Sequence, residues 1–153
     1  MLRKFIFLFL VSAISLGGTV YAQSNTRSLR IENAWARLST KGDRTAVVYF
    51  EIWNGSDRAD ELMSVWTPIA EKAVIMYPNW KGLKMTMERA STLKIEAFEK
   101  IIFRPGMHQI DLTGLTRELH TGQSIPLEIK FRQAGRMELS IPVVNKMIKS
   151  QEK

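Results

Sequence analysis

Ile125-Pro126-Leu127-Glu128-Ile129-Lys130-Phe131, a break at Gln133-Ala134-Gly135, and then Met137-Glu138-Leu139-Ser140-Ile141 form the stretch that decides the fold. Apolar and polar residues alternate on both sides of a glycine-bearing turn, the period-two pattern of two half-buried strands closing as a hairpin. Met137 falls on the apolar side and is expected in the core. Upstream the same pattern recurs. Apolar, β-branched or aromatic runs fill residues 29–38, 45–53, 61–66, 71–77, 83–88, 101–104 and 108–112, ahead of 125–132 and 136–143. Turn residues separate them at 54–56, 79–82, Pro105-Gly106, Thr113-Gly114 and Thr121-Gly122. Only residues 67–72 invite a helical turn. Short strands without alternating helices predict an all-β chain, an antiparallel β-sandwich in one domain.

The ends of the chain carry different information. Arg3 and Lys4 precede an apolar run at 5–16, a Gly17-Gly18 break and Val20-Tyr21-Ala22. This is the layout of a secretory signal peptide cleaved after Ala22, with an apolar core short for a membrane span. It predicts a periplasmic protein with a signal peptide at 1–22, a linker at 23–28, the sandwich at 29–144 and a basic tail at 145–153. With 22 basic and 15 acidic residues the chain is cationic, and removing Arg3 and Lys4 leaves it so. No zinc finger or aromatic RNA-binding box accompanies the charge, so nucleic acid is not an expected partner. Solubility, an anionic membrane face or an acidic protein partner accounts for it better.

The chain has no cysteine. That excludes disulfides, thiolate zinc and iron-sulfur sites, and a lipidated cysteine within these residues. Any soft-metal chemistry must rest on eight methionines and two histidines, and Met76, Met85, Met87 and Met107 fall close together.

Three stretches resemble the periplasmic PCu(A)C-type copper chaperones. Ile31-Glu32-Asn33-Ala34-Trp35-Ala36-Arg37 is similar to that family's first strand, and Ala46-Val47-Val48-Tyr49-Phe50-Glu51-Ile52-Trp53-Asn54 to its second. Pro105-Gly106, Ile110, Leu112, Gly114-Leu115, Gly122, Phe131, Ala134-Gly135 and Pro142-Val143 supply the third. The resemblance spans about residues 29 to 144 and implies a cupredoxin-like Greek-key sandwich that binds copper. The family's ligand motif is His or Met, ten residues, Met, twenty-one residues, His, one residue, Met. Met76 and Met87 match its first two positions in register, whereas Gln109 and Asp111 stand at the last two.

Cu(I) prefers thioether sulfur and imidazole nitrogen, so an amide and a carboxylate are poor replacements. If the chain is extended through this segment, Met107 shares a face with 109 and 111, as Met85 does with Met87. Four thioethers, Met76, Met85, Met87 and Met107, could then converge on one Cu(I). His108 would join them if a one-residue bulge followed Pro105-Gly106; without it, His108 keeps the parity of Ile110 and Leu112 and faces the core. His120 is expected in a surface turn. Each methionine could equally be core packing, the expected role of Met63.

Other features have plainer readings. Asp57, Asp60 and Glu61 lack calcium-loop spacing and read as a solvated turn. Asn54-Gly55-Ser56 fits a glycosylation sequon. Trp35, Trp53 and Trp66 are expected in the core or half-buried, and Trp80 in a loop at 78–82. No nucleophile and base set, HExxH or phosphate loop points to an enzyme. The resemblance implies a monomeric Cu(I) chaperone that passes the ion to a respiratory cytochrome oxidase copper-site subunit or another copper chaperone. The alternatives are a metal-free paralogue serving as an envelope protein-interaction module, and a membrane-associated protein held by its signal segment and basic surface.

Overall fold

The computed structural model describes residues 29–39 and 44–145. The expected signal peptide, the 23–28 linker and the tail beyond residue 145 lie outside the described residues. Ten strands follow one another: β1 (Leu29–Leu38), β2 (Thr45–Asn54), β3 (Asp60–Trp66), β4 (Ala70–Lys81), β5 (Lys84–Ala90), β6 (Leu93–Ile95), β7 (Lys100–Ile102), β8 (Gln109–Leu115), β9 (Ser124–Phe131) and β10 (Arg136–Pro142). One sheet runs β1-β2-β8-β4-β5 with β7 also on β2, and the other runs β10-β9-β3-β6. The strand pairs are antiparallel.

Alternation within the strands makes these two sheets a sandwich. Val48, Phe50 and Ile52 of β2 and Ile110 and Leu112 of β8 face Leu62 of β3 and Ile125, Ile129 and Phe131 of β9, all at most 1% exposed. Burying a side chain of this size contributes about 1.5 to 3 kcal/mol, so slipping a strand by one residue would expose its whole apolar set. The two sheets also meet at a seam. Ala36 forms a parallel bridge with Val143, and the Val144 N–H donates to the Ala36 carbonyl at 2.8 Å.

Several local expectations are corrected. The 67–72 segment is a turn at 68–69 that leads directly into β4, with no helical turn. The buried Thr67 hydroxyl fixes it by donating to the Pro126 carbonyl at 2.6 Å. The expected turn at 79–82 shrinks to Gly82-Leu83, because Asn79, Trp80 and Lys81 pair with Thr86, Met85 and Lys84. Thr113-Gly114 lies inside β8, where Gly114 has φ +69° and a Cβ would sit 2.6 Å from the Glu71 side chain. That glycine serves close packing in a strand, not a break. β6 is three residues long and was not expected.

Side chains also depart from the plain readings. Asp60 is 8% exposed and accepts the backbone N–H groups of Glu61, Gln133 and Ala134 at 2.7 to 2.9 Å, so it fastens the β9–β10 turn to β3. Asn54 is 1% exposed and donates to the carbonyls of Arg58 and Glu96, which leaves its amide unreachable for glycosylation in the folded chain. Trp66 is exposed, and Met63 is only half-buried where the β3–β9 register shifts.

Candidate metal centre

The outer face of the six-stranded sheet is built by register. Across β4 and β8, Met76 stands opposite Gln109 and Val74 opposite Asp111. Across β4 and β5, Pro78 pairs with Met87 and Trp80 with Met85. Directly paired residues in an antiparallel ladder project to the same side, and successive residues to opposite sides. Ile75 and Ile110, paired with each other, point into the core at 3% and 0% exposure. Met76, Met85, Met87, Gln109 and Asp111 therefore share the outward face. Met76 and Met87 are diagonal neighbours, a relation that separates Cα atoms by roughly 7 to 8 Å and lets long side chains meet. Both are half-buried, while Met85 is 37% exposed.

The other half of this face is polar. Gln109 donates from its amide nitrogen to the Asp111 carboxylate at 2.7 Å. Burial pushes the Asp111 carboxyl above its usual range, and this hydrogen bond partly offsets the shift. Val47 of β2 pairs with Asp111, so Tyr49, two residues along, lies on the same side. The Tyr49 ring packs on Trp35 with centroids 4.6 Å apart. Burial raises the Tyr49 hydroxyl above its ordinary pKa, the charge and hydrogen bond of Arg37 oppose this, and Asp111 adds a smaller upward push. A bulge in β1 at Asn33, φ 53°, shifts the register between Glu32 and Trp35 and sets Trp35 opposite Tyr49. Asparagine tolerates this left-handed backbone better than most residues.

Met107 does not follow strand parity, whereas His108 keeps the parity of Ile110 and Leu112 and faces the core side. β8 begins only at Gln109, and residues 105–107 form a turn closed by the Met107 N–H donating to the Arg104 carbonyl at 2.9 Å. Extended alternation therefore does not reach Met107, which is 38% exposed at the same end of the sheet. The ring of His108 packs 5.5 Å from Phe103, which stacks on the core residue Phe50 at 4.4 Å. No bulge turns it toward the methionines. Burial holds its imidazole below the usual pKa, against a weaker upward pull from Glu99. His120 is exposed in a turn, its carbonyl accepting the Gln123 N–H. Tyr49 and Arg37 escaped the sequence reading, and the one available signal was their outward parity beside Val47 in β1 and β2.

A model of LpqE-like lipoproteins matches residues 29–143. The chain belongs to the LpqE-like family. The lipid that this description implies has no cysteine to carry it within these 153 residues. No curated protein matches the chain. Among solved structures, the copper-bound PCuAC domain from PmoF2 aligns with TM-score 0.68 and 18% identity, over 78% of this chain and 94% of that one. The apo PCuAC domain from PmoF1 gives 0.64 and 23%, over 78% and 95%. The solution structure of CuI-DR1885 from Deinococcus radiodurans gives 0.61 and 20%, over 81% and 85%. At these identities the likeness establishes the PCuAC fold.

The donor set divides by chemistry. Three thioethers on one face suit Cu(I), which is soft, and reject hard ions. Gln109 and Asp111 offer oxygen and are already engaged with each other. Among the described residues no group of three or more His, Cys, Asp and Glu could hold a metal, so sulfur is the donor to consider.

Proposed function

We propose that this protein is a periplasmic Cu(I) carrier that holds its cargo on the outward methionines of β4 and β5, Met76, Met87 and Met85, with Met107 supplied from the adjoining turn. The observation that carries this reading is the register that places Met76, Met85 and Met87 on one open face. It supports binding and transfer rather than catalysis, because labile thioether ligands at a surface release an ion as readily as they capture it. Membership of a lipoprotein family supports export. The structural relatives caught with copper support the cargo. The client is a copper site in a respiratory oxidase or a second copper chaperone.

The second reading, a metal-free interaction module, is favoured by one observation: the Gln109–Asp111 hydrogen bond fills the remaining half of the face with hard, mutually satisfied groups. Anaerobic Cu(I) titration of the mature chain, residues 23–153, against a competing chelator separates the two. Carrier function predicts one-to-one uptake that weakens at least about a hundredfold when Met76→Leu and Met87→Leu are combined, a swap close in volume that leaves the fold intact. Equal failure of both proteins to compete selects the metal-free module.

A further inference from the structure

The β4–β5 hairpin extends past the rest of its sheet. The β4–β8 ladder ends at Met76 opposite Gln109, whereas β4 and β5 remain paired from Tyr77 with Glu88 out to Lys81 with Lys84. This two-stranded arm turns at Gly82-Leu83. Gly82 takes φ +64° and Leu83 keeps a negative φ, the pattern of a II′ turn, and Leu83 is left fully exposed at the apex.

The two faces of the arm differ. Pro78, Trp80, Met85 and Met87 project to one side. Tyr77, Asn79, Lys81, Lys84, Thr86 and Glu88 project to the other, where Glu88 accepts from the Asn79 amide at 2.8 Å and pairs with Lys81 at 3.7 Å. Trp80 is 63% exposed. An exposed tryptophan and an apical leucine, with a lysine next to each, have the composition of an element that enters the headgroup region of a bilayer. Glu88 reaches Lys81 from the base of the arm, and with Lys84 added the arm keeps a net positive charge. A narrow ribbon with one apical leucine is a wedge, unlike the broad flat patch that a stable protein interface needs.

We propose that the β4–β5 arm docks the protein reversibly on anionic lipid bilayers, with Leu83 and Trp80 in the interfacial layer and Lys81 and Lys84 against acidic headgroups. The contact is weak by construction, since two inserted side chains and two lysines fall far short of a membrane span. It does not depend on copper.

The test uses the copper-free mature chain, because its folded unit carries its own core within residues 29–145 and PCuAC domains of this extent have been solved as separate domains. Co-sedimentation is measured with phosphatidylcholine vesicles and with mixed phosphatidylcholine and phosphatidylglycerol vesicles. Binding to the mixed vesicles, weakened by salt, is expected. Trp80→Ala with Leu83→Ala should lower it by about tenfold or more. Lys81→Glu with Lys84→Glu should do the same, while Lys130→Glu on the other sheet leaves it unchanged. Should the arm variants lose structure, brominated lipids read insertion directly: they should quench an emission component that Trp80→Phe removes. Absence of binding to mixed vesicles overturns the proposal and leaves the arm as a contact for another protein. Undiminished binding by the Trp80 and Leu83 variant also overturns it. The Met76→Leu, Met87→Leu protein should bind vesicles like wild type, so loss of copper binding and loss of lipid binding are told apart.

Discussion

Two halves of one sheet face can be compared directly, because β4 joins them. On the β5 side, Met76, Met85 and Met87 turn sulfur outward from positions that share one register. On the β2 side, half-buried Gln109, Asp111 and Arg37 surround the buried Tyr49, with Gln109 bonded to Asp111 and Arg37 to Tyr49. The backbone treats the halves alike, with Ile75 and Ile110 anchoring the strands beneath each. Side-chain chemistry alone separates them. One sheet face can thus carry soft sulfur on one side and polar groups on the other, which makes fold a poor guide to metal occupancy.

The sharpest way to erase the difference is to replace the polar half. Gln109→His with Asp111→Met converts two hard donors into soft ones on the same face, and Cu(I) affinity should rise about a hundredfold or more, measured by chelator competition. An unchanged affinity would mean that Met76 and Met87 are not poised as half of a site.

A smaller effect concerns His108. Its ring lies against Phe103 on the core side of the sheet, so His108→Ala should leave Cu(I) affinity untouched and cost about 1 to 2 kcal/mol in chemical denaturation. A loss of copper binding would place the imidazole at the metal after all.

The smallest effect is one of pH. Burial raises the Asp111 pKa, so the folded chain holds that proton more tightly than the unfolded chain does. The resulting stability is complete below the ordinary value of 3.8 and is lost as pH rises through the raised one. Asp111→Asn is neutral at every pH and should be modestly more stable than wild type near pH 7, with the advantage vanishing below 3.8. Denaturation midpoints across that range check the sign. An advantage that grows toward acid would reverse the assignment.

Much of this architecture was legible in the residues. β1 fills the predicted span 29–38, and β9 and β10 match theirs to within a residue, because strict apolar alternation leaves only one register that buries Ile125, Leu127, Ile129 and Phe131 together. Legibility fails where a tertiary neighbour overrides local signals. Gly114 reads as a turn but is a strand glycine set against Glu71, and Asp60 reads as a solvated carboxylate but is held by backbone donors of a turn some seventy residues away. Met76 and Met87 were singled out by the ligand motif that the resemblance implies, and their common face follows only from the pairings of β4 with β5 and β8. Met107 escaped strand alternation because Pro105-Gly106 turns the chain. Tyr49 and Arg37 became visible only once the Asn33 bulge and the β2–β8 register were known.

The proposed carrier role rests on sulfur. Cu K-edge X-ray absorption of residues 23–153 loaded anaerobically with Cu(I) tests it most directly. The methionine half predicts a first shell of sulfur scatterers that is depleted in the Met76→Leu, Met87→Leu protein. A shell of oxygen and nitrogen scatterers that is unaffected by those substitutions would contradict it.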